Sequence, residues 1–158
     1  MVLGGGAVGA YFVYRAVSGS VSGVIGGAQM NCPTAEDISS LVGSEVTGPT
    51  RANVIVASGC NYSAKGPDDM LDVIITSGSK IITDEEVASF ESECRAANAE
   101  VRSIGVGDRG HAWASQHKGA AIAAGDHSLV TVEVQGKNFA DIPDKSDAAI
   151  AILARVLD

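Results

Sequence analysis

The chain has 158 residues, of which 46% are hydrophobic and 4% aromatic, with 19 glycines, 11 basic and 19 acidic residues and a formal net charge of -8. That length fits one domain plus an appendage, and the apolar content excludes a disordered tail. A negative balance without clustered Lys and Arg excludes nucleic acid as a partner and opposes adhesion of the folded part to anionic lipid headgroups.

Aromatics are scarce, so Val, Ile, Leu and Ala must build the core. Arg15 is the sole charged side chain in residues 1–35, and nearly all the acid lies beyond. This is the layout of a hydrophobic anchor, residues 1–30, followed by a solvated acidic domain, residues 31–158.

As one helix, Val2 to Ala28 would be about 40 Å long at ~1.5 Å per residue. That exceeds a bilayer core of ~30 Å and leaves Arg15 near the middle. An easier placement puts Val2 to Tyr14 in the outer half of a span, with Tyr11, Tyr14 and Arg15 at the interface. Such a span is short by itself, so the reading expects either more chain upstream of Met1 or a fragment beginning there.

Gly4-Gly5-Gly6-Ala7-Val8-Gly9 matches the G-x-G-x-x-G turn of dinucleotide-binding units. Its context differs: two residues precede the glycines instead of a strand, and the first acid is Glu36, beyond Cys32 and Pro33. Gly5 and Gly9 are four apart, as are Gly19, Gly23 and Gly27. On a helix these fall on one face and let another membrane helix approach closely; in water the same residues make a flexible linker. Cys32 follows Gln29-Met30-Asn31, which is not a lipid-attachment box.

Thr34 is a good N-cap for a first helix, with Glu36 and Asp37 in its first turn, an apolar stripe of Ile38, Leu41 and Val42, and Gly43 as its stop. Residues 44–52 are expected to be loop. Asn53 to Tyr62 is predicted as a strand with Val54, Val56, Ser58 and Cys60 on one face. A turn at residues 64–69 leads to a second strand, Met70 to Thr76. Thr83-Asp84-Glu85-Glu86 is a capping box for a helix over Asp84 to Asn98, with a stripe of Val87, Phe90, Cys94 and Ala97.

Strands are predicted at Val101 to Val106, His111 to Ser115, Ala120 to Ala124 and Ser128 to Gln135. The alternation in Leu129 to Val134 implies one buried and one wet face. A last helix covers Asp147 to Leu157, with Ile150, Leu153, Ala154 and Leu157 as its stripe. The expected fold is α+β: an antiparallel sheet of about five to six strands, covered on one face by helices and preceded by the N-terminal membrane-anchor helix.

Cys32-Pro33 before the first helix, Gly59-Cys60-Asn61-Tyr62 ending the first strand, a capped helix, and Gly107 to Ala114 leading into a Gly-Asp hairpin and a final amphipathic helix form a familiar layout. Over about residues 32–157 the chain resembles small envelope lipoproteins and anchored sensor-like domains of actinobacteria, of unassigned function. The resemblance implies a Cys32–Cys60 disulfide, an extracytoplasmic location and a sheet packed on helices. The chain departs from it in lacking the lipid box, a helical anchor standing in its place. Such a bridge would close a loop of about 28 residues and contribute roughly 3 kcal/mol in the chain-entropy model. Cys94, on an apolar stripe, is expected as a buried small hydrophobe, against the alternative of a bond from Cys94 to either other cysteine.

His111, His117 and His127 could meet a metal if their strands paired suitably; otherwise they are surface or turn histidines, and no nucleophile motif accompanies them. Asp68, Asp69 and Asp72, and likewise Asp84, Glu85 and Glu86, lack calcium-loop spacing and are expected to be solvated. Trp113 is expected in the core, with groove lining as the alternative.

No catalytic, metal or cofactor residues are therefore assigned. The expected role is a non-catalytic, membrane-anchored extracytoplasmic accessory or binding module at the cytoplasmic membrane. It would pack against other membrane-protein subunits through Gly5, Gly9, Gly19, Gly23 and Gly27. The alternatives are an envelope lipid or small-ligand carrier, with its cavity between sheet and helices, and a histidine-dependent metal enzyme.

Overall fold

The computed structural model describes residues 31–54, 57–66, 71–79, 83–125, 128–136 and 145–157. The proposed anchor, residues 1–30, lies outside them. Helix α1 (Ala35–Val42) opens on the expected N-cap, Thr34, which forms a capping box with Asp37. The Asp37 N–H donates to Thr34 Oγ1 at 3.1 Å, and the Thr34 N–H to Asp37 Oδ2 at 3.3 Å. Gly43 closes the helix at φ 71°, where a residue without Cβ is least strained.

Seven strands follow: β1 (Val46–Val54), β2 (Ala57–Ala64), β3 (Leu71–Ser79), β4 (Arg102–Ser103), β5 (Asp108–Ala114), β6 (Lys118–Ala124) and β7 (Ser128–Gly136). Helix α2 (Thr83–Ala96) lies between β3 and β4, and α3 (Lys145–Leu157) follows β7. The strands form one open antiparallel sheet in the order β1-β2-β3-β7-β6-β5-β4. β3 and β7 pair along their whole lengths at its centre, from Leu71 with Gly136 to Ser79 with Ser128.

The α+β class and antiparallel sheet are as expected, but the helices occupy both faces instead of one. Strand alternation explains the division. Cys60, Tyr62, Val73, Ile75, Ala112, Ala121, Ala123, Val130, Val132 and Val134 share one side of the sheet, where they pack with Ile38 and Val42 of α1 and Ala148, Ala149, Ile152 and Leu153 of α3. Trp113, Ala120, Ile122 and Leu129 point the other way, onto Phe90 and Cys94 of α2. β6, composed of Gly, Ala and Ile after Lys118, is buried along its whole length. Its small side chains, with Ala148 and Ala149, let α3 approach closely. Both faces of residues 129–134 are buried, where one wet face was expected.

Residues 46–54, expected mostly as loop, are the edge strand β1. The predicted strand over residues 53–62 is instead divided between the end of β1 and most of β2, which pair antiparallel. This stretch contains Gly48-Pro49, and an edge strand tolerates proline because one side of its backbone is unpaired. The register shifts between Thr47 and Thr50, where Gly48 has φ 133° and the Gly48–Pro49 peptide is cis. A Cβ at Gly48 would lie 2.7 Å from the Asn61 carbonyl oxygen. The expected strand at Val101–Val106 shrinks to β4, because the chain turns back at Gly105–Gly107 into a second bulge between Asp108 and His111.

Ile152, fully buried between α3 and the sheet, provides a direct check of this packing. Ile152→Ala is expected to lower stability by about 2–5 kcal/mol. In urea unfolding the midpoint should fall with the slope unchanged.

Candidate functional site

Two places concentrate chemistry. The first is the corner where the chain enters the domain. Cys32 and Cys60 form a disulfide with Cα atoms 5.8 Å apart, as the resemblance implied. Two residues along the same face of β2, the Tyr62 hydroxyl donates to the Pro33 carbonyl at 2.5 Å. Burial pushes the Tyr62 phenol up to about 12, with Arg51 opposing and Asp37 reinforcing the shift. The residues before α1 are thus held to β2 by a covalent bond and a hydrogen bond. Asp37 also faces Arg155 of α3 at 3.8 Å, an exposed pair of small energetic weight.

The second is a charged cluster between α2 and the sheet. Lys118 Nζ, at the start of β6, lies 3.0 Å from Glu93 Oε2 of α2 and 2.9 Å from Glu133 Oε1 of β7. The three side chains are 8%, 6% and 6% exposed. Nζ is also 5.5 Å from the centre of the Trp113 ring, within cation–π range. Trp113 packs edge-on against Phe90 of α2, centroids 6.1 Å apart. Its indole N–H is buried with no hydrogen-bond acceptor among the described residues.

Sheet register places the cluster. Lys118 pairs with Gln135, so Glu133 is its same-face diagonal neighbour on β7. Ala120 opposes both Trp113 and Glu133. Glu93 reaches down because it lies three residues after Phe90 and one before Cys94, on the face of α2 turned to the sheet. Burial would lower the Lys118 pKa, but the charges of Glu133 and Glu93, and their hydrogen bonds, outweigh it and hold the pKa above the ordinary lysine value.

None of the three was singled out from sequence. Glu93 gave the clearest signal, an acid inside an apolar helical stripe. Glu133 alternated with valines in a strand expected to have one wet face, and Lys118 followed the polar run Ser115-Gln116-His117, which resembles an ordinary turn.

The histidines do not converge where they are described. His111 lies within β5 opposite Ile122, its Nδ1 2.7 Å from the Arg109 carbonyl oxygen. His117 is exposed in the β5–β6 turn, and His127 lies outside the described residues. No metal-type cluster of three or more His, Cys, Asp or Glu occurs among the described residues.

Asp72 accepts from the Ser63 hydroxyl at 3.0 Å. Asp84 faces Arg109 at 3.8 Å, and Glu85 is exposed. Asp68 and Asp69 lie outside the described residues, as do Gly5, Gly9, Gly19, Gly23, Gly27 and the G-x-G-x-x-G match. Cys94 is a buried free thiol, donating to the Ala99 carbonyl at 3.2 Å, and burial raises its pKa. Trp113 is buried, as expected. Among the described residues no helix is long and apolar enough to cross a membrane.

Comparison of the chain with protein-family models, with curated proteins and with solved structures gives no match.

Removing Lys118 leaves Glu93 and Glu133 facing one another in a buried site. Lys118→Met is expected to cost about 3–5 kcal/mol, measured by urea unfolding at neutral pH.

Alkaline stability should report both places. Lys118 and Tyr62 each hold their proton more tightly folded than unfolded. Their contributions are complete below the unfolded values, 10.5 and 10.0. For Tyr62 the contribution falls as pH rises from 10.0 to about 12. For Lys118 it falls as pH climbs through its higher folded pKa. Tyr62→Phe should flatten the lower part of this decline in urea titrations across alkaline pH.

Proposed function

We propose that the chain is a non-catalytic binding or accessory module outside the cytoplasmic membrane. Residues 1–30 hold it there, and the glycine face of that segment, Gly5 and Gly9 with Gly19, Gly23 and Gly27, packs against helices of a larger membrane assembly. The observation that carries this reading is the disulfide at the point of entry. Cys32 follows the apolar, glycine-rich segment directly and is bonded to Cys60 in the sheet.

Disulfides persist in oxidising compartments and are rare in the cytosol, which supports an extracytoplasmic domain. The position of this one supports a tether. Tension arriving along residues 1–31 reaches β2 through the Cys32–Cys60 bond and the Tyr62–Pro33 hydrogen bond, so it is not borne by the single turn of backbone that starts α1. The acidic domain of a chain whose net charge is -8 also stands off an anionic membrane surface, as a module reached through an anchor requires.

The test uses the full chain in its native membrane. Gentle detergent extraction, size-exclusion chromatography and mass spectrometry should find it co-migrating stoichiometrically with larger membrane subunits. Replacing Gly5 and Gly9 by Leu should abolish co-migration without releasing the chain from the membrane. Denatured, unreduced protein should accept a maleimide at Cys94 alone. Migration as a lone small species would defeat the accessory reading, and maleimide uptake at Cys32 and Cys60 in freshly lysed cells would defeat the extracytoplasmic one.

A further inference from the structure

The Lys118 cluster has the composition and placement of a reaction site whose substrate is the chain itself. We propose that Lys118 and Glu93 condense to an amide that joins α2 covalently to β6, with Glu133 carrying the protons.

An amine and a carboxylate in water remain an ion pair because hydration favours both ions strongly. Burial removes much of that preference, since a charged group in an apolar interior is costly and an amide is neutral. Lys118 Nζ and Glu93 Oε2 are in contact at 3.0 Å, with both side chains almost wholly removed from water. Holding the two groups together replaces a bimolecular encounter with a unimolecular step.

The nucleophile must also lose protons, and this is the place for a second carboxylate. Glu133 Oε1 lies 2.9 Å from the same nitrogen, within reach for direct transfer. It is fixed on the central strand β7, beside the strand that carries Lys118.

The step balances without an external reagent. The Lys118 ammonium passes one proton to Glu133, and the freed amine attacks Glu93 Cδ to form the C–N bond. Glu133 delivers that proton to an oxygen of Glu93 and then relays a second from the nitrogen. The C–O bond breaks and one water leaves. Lys118 begins as an ammonium whose pKa is held above the ordinary value, so proton transfer to Glu133 is the uphill part of the step, and the alkaline decline assigned to Lys118 belongs to the chain before condensation; Glu133 ends as it began. Trp113 packs on the lysine, and its buried indole N–H has no acceptor among the described residues; the new amide oxygen is an acceptor of the kind it lacks.

The consequence is mechanical. α2 sits on the sheet through a short apolar stripe centred on Phe90 and Cys94, and the amide would make that attachment permanent.

The test is the intact mass of the full chain after disulfide reduction and denaturation. We expect it about 18 Da below the sum of its residues, the loss of one water. Trypsin should then fail to cleave after Lys118 and should yield a branched product joining residues 81–95 to residues 110–137. Lys118→Arg should restore the full mass. Glu133→Gln should slow appearance of the lighter species by about 100-fold or more, the scale of lost proton transfer.

A wild-type chain of full mass overturns the proposal whether or not the variants fold. A dehydrated peptide 110–137 without the branch overturns it too, because it places the bond between Lys118 and Glu133. Dehydration confined to any other residue does the same.

Discussion

β3 and β7 lie at the centre of the sheet, paired from end to end, and the rest of the architecture depends on that pairing. Val73, Ile75, Val132 and Val134 point to one side with no exposure, while Leu129, Thr131 and Glu133 point to the other and are also buried. A strand pair buried on both faces needs a layer on each. α1 and α3 provide one and α2 the other, which is why a chain with a mostly hairpin-connected sheet ends as three layers.

The two layers differ in chemistry. The α1–α3 side is mostly apolar, with buried Ser58 and Ser77 and the Tyr62 hydroxyl as its polar groups; alanines on both helix and strand close it and the disulfide secures its margin. The α2 side is smaller, and charge runs through its middle: Glu93 descends from the helix to Lys118, which also meets Glu133. A buried ion pair is seldom a strong source of net stability, because desolvation offsets the attraction. Its effect is positional. Helix α2 has one rotation and one height at which Glu93 reaches Lys118 while Phe90 meets Trp113, so the cluster defines where α2 sits more sharply than its short apolar stripe can.

Much of the fold was legible in the sequence, for reasons that can be traced to individual residues. The first helix followed from Thr34, Asp37 and Gly43, whose roles are local. Both later helices and the strands at residues 118–136 followed from periodicity. β1 was missed because Gly48 and Pro49 mark a turn locally, whereas their tolerance at a sheet edge depends on a neighbour found only after folding. The split of helices between faces was missed because hairpin connectivity does not say which side a crossing helix takes. At the entry corner the Cys32–Cys60 bridge was implied by the resemblance, whereas the Tyr62–Pro33 hydrogen bond was not foreseen. The Lys118 cluster was not, since its members are 25 and 15 residues apart in sequence and converge only through strand register.

Both margins of the sheet are irregular, and this constrains how the domain can meet another protein. At one margin, β1 is broken by a bulge over Gly48 and Pro49. At the other, β4 is two residues long and its neighbour β5 is bulged at Arg109. Neither margin offers a long, straight row of free N–H and C=O groups, the template that an incoming strand requires. Growth of the sheet by strand addition, in aggregation or in β-augmented complexes, is therefore disfavoured by backbone geometry alone. A binding partner would meet side chains on a helix or a turn, where specificity is set by chemistry and shape instead of by main-chain pairing.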